Sequence, residues 1–308
     1  MQTQSDSGLL VRVGIPEPTG KLPFHAFEKE YATMVSAQAF WNPKSGKFRI
    51  PEASDLFETD FALDSAGFTA MRLWKEKGAQ PGMAGIYPWS YSDYMLLASE
   101  LSPTWFSAPD LCVENEIATS QAEVDFRIDA TATLLEGCLR IAYEWQNQLA
   151  RTCSSTVARN LVPTPIPVIQ GWTTSDYQRS LELTMSVLER WTPWLQTPTL
   201  IGVGSVCRRE VNHPKHGLLS VLAGIEPHLP SSSKLHLFGV KGTCLSTIKM
   251  LSHVESTDSM AYDFSARMNA HRAGQPNSIA NRTAEMTRWM TSALLKAAPA
   301  AGDQFRLI

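Results

Sequence analysis

The chain has 308 residues, of which 44% are hydrophobic and 19% are charged, and its formal net charge is −3. These values suit a globular protein with a large core, and they exclude a low-complexity chain or a basic protein that binds nucleic acid through bulk charge. Residues 1–8 are polar and lack the pattern of a secretory signal, and no apolar run is long enough to cross a membrane. We therefore expect a cytoplasmic protein without membrane contact.

Short apolar segments alternate with longer segments of helical periodicity, which is typical of βα units and a parallel sheet. Strands are predicted at residues 9–15, 61–63, 104–108, 165–169, 199–203 and 235–240, and in a segment that ends at Asp258. These seven strands are one fewer than a full barrel needs. The predicted fold class is nevertheless α/β, a single (β/α)8 TIM-type barrel domain over residues 1–308.

Apolar residues at helical spacing predict helices around residues 134–145, 177–188 and 278–296. The second helix is predicted to begin at Ser175, because residues 175–178 have the spacing of a capping box. The connections at residues 16–60 and 72–102 are long and irregular. We expect them to form insertions over the active-site end of the barrel.

Polar side chains follow several predicted strands at their carboxyl ends, where a parallel barrel places its reactive groups. Asp64, Asp110 and Gln170 each follow a strand, and the last strand ends at Asp258. Each residue alone is more typical of a turn, a helix cap or a partner for buried backbone groups. Three carboxylates and one amide at the same end of a barrel instead indicate a site for acid–base chemistry and for binding the edge of a base.

Six motifs between residues 60 and 272 occur in an order that is characteristic of one enzyme family. They are Asp-Ser-Ala-Gly-Phe at 64–68, Ala-Pro-Asp-Leu-Cys-Val-Glu at 108–114, Val-Ile-Gln-Gly at 168–171, Gly-Val-Gly-Ser-Val-Cys-Arg-Arg at 202–209, His-Leu-Phe-Gly-Val at 236–240, and the segment 258–267. Together they resemble the queuine and archaeosine tRNA-guanine transglycosylase superfamily, and more closely its deazapurine DNA modification branch. The first motif departs from the family's Asp-Ser-Gly-Gly-Phe/Tyr, because Ala66 replaces a glycine.

The resemblance implies a role for each motif. Asp258 falls on the position of the nucleophile and Asp64 on that of the general acid/base. Such a pair suits base exchange at C1′, which resembles retaining glycoside hydrolysis through a covalent intermediate. Asp263 is the rival nucleophile. The remaining implied base-binding residues are Asp110, Gln170, Gly171, Gly204, Ser205, Phe68 and Phe238.

Any contact with nucleic acid has to be local, because the net charge is negative. The candidates for contacts with phosphates are Arg208, Arg209, Arg267 and Arg272. Ordinary surface salt bridges are the alternative interpretation for each of these arginines.

The resemblance implies a DNA-guanine transglycosylase that replaces guanine in DNA with a 7-deazaguanine, with 7-cyano-7-deazaguanine (preQ0) as the expected base. A tRNA-guanine transglycosylase is the alternative within this class. A non-catalytic barrel that binds a nucleobase or nucleic acid is the alternative from another class, and an unrelated acidic barrel hydrolase is a third. The expected partners are DNA and the 7-deazaguanine base, and a homodimer or an accessory DNA-modification protein is a further expectation.

The cysteines do not follow the zinc motif of the family members that act on tRNA. Those enzymes carry Cys-x-Cys-x-x-Cys and a histidine after the nucleophile, whereas this chain has five scattered cysteines and none after Cys244. We therefore predict free thiols, no cofactor and no metal. Zinc stays an alternative through two pairs, His213 with His216 or Cys207 with His236.

Overall fold

The computed structural model describes residues 8–299, which contain an eight-stranded parallel sheet surrounded by helices. Of residues 1–8, to which the N-terminal prediction applies, all but Gly8 lie outside this range. The strands are β1 (Leu10–Ile15), β2 (Thr33–Ser36), β5 (Phe61–Asp64), β6 (Trp105–Phe106), β7 (Val168–Ile169), β8 (Leu200–Val203), β9 (Lys234–Leu237) and β10 (Val254–Ser259). Their order in the sheet is β6-β5-β2-β1-β10-β9-β8-β7, so that neighbours in space are neighbours along the chain, with β1 beside β10.

The two edge strands of this sheet, β6 and β7, meet just outside their ends. Ser107 pairs with Ile166 in a parallel bridge. The N–H of Ile166 donates to the carbonyl of Phe106 at 2.8 Å, and the N–H of Ala108 donates to the carbonyl of Ile166 at 2.8 Å. These bonds join the two edges, and the predicted TIM-type barrel is confirmed. That all of residues 1–308 form a single domain stays a prediction.

The strand that the sequence analysis missed is β2. It has four residues and lies inside the connection 16–60, which appeared too irregular to assign. It is largely buried and pairs in parallel with β1 on one side and β5 on the other, so it is one of the eight strands of the barrel. The same connection also contains a small antiparallel pair, β3 (Trp41–Asn42) with β4 (Lys47–Phe48).

Ten α-helices cover the barrel over residues 8–299. They are α1 (Lys21–Glu28), α2 (Gly67–Lys77), α3 (Tyr91–Leu101), α4 (Gln121–Leu149), α5 (Ser155–Leu161), α6 (Thr174–Trp191), α7 (Leu218–Ile225), α8 (Leu245–Ile248), α9 (Ala261–Arg272) and α10 (Ile279–Ala297). Short 3-10 helices occur at Ala37–Phe40, Asp55–Glu58, Met83–Gly85 and Glu226–His228. The three helices predicted from apolar periodicity correspond to α4, α6 and α10. No helix in the described part of the chain is both long and apolar enough to span a membrane.

The amino end of the barrel interior is filled by paired polar groups. The buried guanidinium of Arg12 lies 3.0 Å from the carboxylate of Asp60, and it also donates to the Asp60 carbonyl at 2.7 Å. Further along, the ring of His236 is 4.7 Å from that of Trp105 and bonds to the Ser256 hydroxyl at 2.8 Å. Asp60 directly precedes β5 and His236 lies within β9, so these groups lie before the carboxyl ends of the strands, where the cavity opens.

The amino end of α6 differs from the prediction. The N-cap is Thr173, whose hydroxyl accepts the N–H of Asp176, while the Asp176 carboxylate accepts the N–H of Thr173 at 2.7 Å. Ser175 lies inside the helix. The predicted box had the correct spacing but the wrong register, because both Thr173 and Ser175 can cap a helix and only the path of the chain after β7 selects one of them.

We predict that Thr173→Ala lowers the free energy of unfolding by about 1 kcal/mol, because the first turn of α6 loses its side-chain cap. Ser175→Ala is the matched control and should change it by less than about 0.5 kcal/mol. Chemical denaturation of both variants measures the difference. Equal losses in the two variants would contradict the assignment of Thr173 as the cap.

Candidate active site

A cavity of about 490 Å³ opens at the carboxyl ends of the barrel strands. The predicted site residues that line it are Asp64, Phe68, Asp110, Gln170, Gly204, Ser205, Arg208, Phe238 and Asp258. The insertion at residues 16–60 contributes Gln38 and Ala39, as expected for a connection over this end of the barrel. The connection 72–102 contributes no residue to the lining but packs behind it at the same end of the barrel, because the Tyr87 hydroxyl donates to the carbonyl of Asp110 at 2.7 Å.

Asp64 ends β5 and carries its carboxylate into the cavity. One of its oxygens accepts the N–H of Ala66 at 3.0 Å. Burial, together with the neighbouring Asp110 and Asp258, raises the pKa of Asp64 to about 7. Asp64 can therefore hold or release a proton near neutral pH, as a group that alternates between acid and base requires.

The turn after Asp64 contains the two positions that are glycine in the family motif, and only the first of them holds an alanine in this chain. Ala66 has a φ of 71°, in the left-handed region that favours glycine. Gly67 follows at a point where the chain touches Asp110, because a Cβ there would lie 2.5 Å from an oxygen of that carboxylate. The first glycine position tolerates a strained alanine, whereas the second has no space for a side chain.

Asp258 lies near the end of β10, with its side chain 17% exposed. Its Oδ1 accepts the N–H of Gly239 at 2.8 Å and lies 3.4 Å from Nε2 of His236. His236 belongs to one of the six motifs, but it had no predicted place beside the proposed nucleophile. The signal was its spacing from Phe238, since residues two apart on a strand lie on the same side, here the barrel interior.

Asp110, Gln170 and Ser205 form a buried hydrogen-bonded chain on one wall of the cavity. Asp110 accepts the hydroxyl of Ser65 at 2.8 Å and the side-chain amide of Gln170. The Gln170 carbonyl oxygen accepts the hydroxyl of Ser205 at 2.6 Å. A Cβ on Gly204 would lie 2.1 Å from the Gln170 amide, so this position needs glycine. Burial raises the pKa of Asp110, and its hydrogen bonds oppose that shift.

Two predicted aromatic residues reach the cavity from different strands. Phe238 packs on the interior side of the barrel, with its ring 4.7 Å from His236 and 6.4 Å from Trp105. Phe68 lies at the start of α2, and the guanidinium of Arg208 is 5.6 Å from its ring centre. Both rings are partly exposed within the lining, so each can offer apolar surface to a bound ring.

Cys112, Glu114 and Cys207 also line the cavity, although the sequence analysis assigned them no base-binding role. The sequence contained a signal for this position, because Asp110, Cys112 and Glu114 are every second residue of a segment without regular secondary structure. In an extended chain, alternate residues point to the same side.

The four predicted phosphate-binding arginines have different environments. Arg208 lies at the cavity and pairs with Glu116, and both side chains are largely exposed. Arg267 and Arg272 lie on α9, which leads away from the cavity, and Arg267 is 3.7 Å from Asp263. Asp263, the rival nucleophile, also accepts a bond from Arg282 at 2.6 Å and does not line the cavity.

The prediction that Arg209 contacts phosphate is wrong. Its guanidinium is buried, and it donates to the carbonyls of Gly171, Trp172, Ser205 and His216. A guanidinium that makes these bonds has no donor left at the surface. Gly171, predicted to bind the base, lies outside the cavity lining, and a Cβ there would lie 2.7 Å from Tyr177, so it supports the fold around Arg209.

The residues present do not fit the zinc site of the tRNA-acting enzymes. Within residues 8–299, no group of three or more histidine, cysteine, aspartate or glutamate side chains converges as a metal site. The rings of His213 and His216 stack with their centres 3.4 Å apart. The Cys207 thiol donates to Glu114 at 2.7 Å, whereas His236 bonds to Ser256.

Comparison with protein families adds evidence that does not depend on the cavity. The family described as “DpdA: DeoxyPurine in DNA protein A” matches residues 151–305, half of the chain. The chain belongs to this family. The family is tRNA-guanine transglycosylase-like, and membership supports a transglycosylase-type enzyme of DNA modification with a deazapurine. Comparison with curated proteins finds no match.

The match covers one part of the site and not the other. It contains Gln170, the loop 202–209, Phe238 and Asp258. Asp64 and Asp110 lie before it, and their assignment rests on the motif resemblance and on their place in the same cavity.

We predict that substitutions of two neighbouring arginines destabilise the fold to very different extents. Arg209→Ala should lower the free energy of unfolding by about 3 kcal/mol, because it leaves several buried carbonyls without a donor. Arg208→Ala should lower it by less than about 1 kcal/mol, since an exposed ion pair contributes little. Urea denaturation of both variants provides the comparison, and a small effect of Arg209→Ala would refute its structural role.

Proposed function

We propose that the chain is a DNA-guanine transglycosylase, a pentosyltransferase that replaces guanine in DNA with a 7-deazaguanine through a covalent bond between Asp258 and the nucleotide. The observation that carries the proposal is the convergence of Asp64, Asp110, Gln170 and Asp258 on one cavity. Family membership supports the same chemistry at a coarser level. The 7-cyano compound, which the resemblance implies, is the reference base for assays.

The buried wall of the cavity suits the polar edge of guanine. Guanine offers donors at N1 and at its amino group and an acceptor at O6. The Asp110 carboxylate can accept from the donors. Gln170 has two amide hydrogens and uses one for Asp110, so that the second can be donated to O6.

The two half-reactions use the same pair of carboxyl groups. A carboxylate oxygen of Asp258 attacks C1′, the bond from C1′ to N9 of guanine breaks, and protonated Asp64 gives its proton to the departing base. Asp64 then takes a proton from the incoming base, whose N9 displaces Asp258 from C1′. Two displacements retain the configuration at C1′ and restore both carboxyl groups.

The surroundings of each carboxyl group suit its role. Asp258 receives the N–H of Gly239, and a hydrogen bond from a backbone donor stabilises a carboxylate. Burial is the main cause that raises the pKa of Asp64 to about 7, so that this residue can gain and lose a proton in one cycle. The nearby Asp258 also contributes to the raised pKa of Asp64.

Base stacking and phosphate contacts complete the proposed complex. Phe68 and Phe238 can stack on the base, at about 1–3 kcal/mol for each stacked base. Extrusion of a nucleotide from duplex DNA costs a few kcal/mol, which these contacts offset. Arg208 at the cavity is the proposed contact with a flanking phosphate. Arg267 and Arg272 stay candidates for contacts with phosphates farther from the cavity.

We predict that the protein forms a covalent adduct with guanine-containing DNA and that Asp258→Asn abolishes it, because the amide cannot attack C1′. Asp64→Asn should slow adduct formation by about 10²–10⁴-fold, the usual contribution of a positioned acid. Intact-mass analysis after denaturation detects the adduct. Asp263→Asn serves as the control and should still form it.

The outcome separates the alternatives. An adduct with RNA but not with matched DNA would replace the proposal with a tRNA-type enzyme. Adduct formation by Asp258→Asn that is lost in Asp263→Asn would move the nucleophile to the rival residue. Binding of the base without any adduct would indicate a non-catalytic barrel.

We predict that the single-turnover rate of adduct formation falls as the pH rises through about 7, by up to about tenfold per pH unit. Below this pH, Asp64 is protonated and can donate to the departing guanine, and above it Asp64 is ionised. The residual rate of Asp64→Asn should lack this inflection. A wild-type rate that instead increases through pH 7 would show that Asp64 does not act as the acid in this step.

A further inference from the structure

Glu114 is a buried carboxylate in the cavity that the proposed reaction does not use. Glu114 is 6% exposed, and it lines the same cavity as Asp110 and Asp258. Its Oε1 accepts the thiol of Cys207 at 2.7 Å. Its Oε2 has no hydrogen-bond partner among residues 8–299, although this atom is buried.

Neither of the two neighbouring arginines forms a salt bridge with Glu114 in the described part of the chain. Arg208 pairs with Glu116, and Arg209 donates to backbone carbonyls. Burial raises the pKa of the Cys207 thiol to about 12, so that Cys207 stays a neutral donor. A buried carboxylate with an unused acceptor is unfavourable unless a ligand supplies the donor.

The wall of the cavity places Glu114 next to a defined part of the base. Asp110 bonds to Gln170, Gln170 bonds to Ser205, and the Ser205 hydroxyl accepts the N–H of Val113 at 2.8 Å, directly before Glu114. In guanine, the ring edge beyond O6 carries position 7. A base whose N1 edge meets Asp110 and whose O6 meets Gln170 therefore directs position 7 towards Ser205 and Glu114.

We propose that Glu114 determines which 7-substituent is accepted, and that it selects a positively charged hydrogen-bond donor, an aminomethyl or amidine group, over a neutral nitrile. This inference rests on the proposed base exchange and refines its substrate. A cationic donor would supply the bond that Oε2 lacks and would pair with the charge. The nitrile offers only an acceptor, and the N7 of guanine places a lone pair in the same direction.

Competition between two incoming bases tests the proposal. Full-length protein and guanine-containing DNA are incubated with equal amounts of 7-aminomethyl-7-deazaguanine and 7-cyano-7-deazaguanine, and the nucleosides are quantified by mass spectrometry. The wild type should insert the aminomethyl base in excess by about tenfold or more. Glu114→Gln should lose most of this preference, because the amide has the same shape but no charge.

The ratio of the two products does not depend on the total activity, so that a weakened variant still reports selectivity. Glu114→Asp keeps the charge and should keep part of the preference, and Glu100→Gln, an exposed change on α3, should keep all of it. A wild-type ratio near one, a preference for the nitrile, or an unchanged ratio in Glu114→Gln overturns the inference.

Exchange of labelled guanine into the same DNA separates this result from the proposed function. If guanine exchanges but the base ratio does not respond to Glu114, only the inference fails. If the wild type exchanges neither guanine nor a 7-deazaguanine, base exchange fails and the inference falls with it.

Discussion

The burial of several carboxyl groups in one cavity is the constraint on which the rest of this structure depends. Asp64, Asp110, Glu114 and Asp258 share a space of about 490 Å³, where like charges repel and burial penalises the charged form of a carboxyl group. Each carboxyl group accepts a bond from a nearby donor, through backbone N–H groups or the side chains of serine, glutamine and cysteine. Such a cavity favours a ligand that brings donors, and a purine edge brings several.

The loops at the carboxyl ends supply these donors because the barrel and its buried arginine fix their positions. Arg209 joins the loop after β7 to the loop after β8 by donating to carbonyls on both. Gly204 allows the Gln170 amide to lie against the backbone of the second loop. The wall that would bind the base is thus built by contacts between segments far apart in sequence, and its geometry depends on the closure of the barrel.

Of the two proposed catalytic carboxyl groups, Asp64 precedes the family match and Asp258 lies within it. The strands that carry them, β5 and β10, are separated in the barrel by β2 and β1. The short strand β2 therefore helps to set the distance between the proposed acid/base and the proposed nucleophile. A connection that appeared irregular in the sequence contributes directly to the spacing of the site.

The sequence by itself determined the fold class, seven of the eight barrel strands and nine residues that line the cavity, because apolar periodicity and the polar residues after strands are local signals. Only the tertiary structure decided the place of β2, the cap at Thr173 and the roles of neighbouring arginines. Arg208 and Arg209 are adjacent and chemically identical, yet one is exposed and the other buried. Burial and hydrogen-bond partners come from distant segments, and local sequence does not encode them. The lack of a hydrogen-bond partner for Oε2 of Glu114 among the described residues is likewise visible only in the tertiary structure.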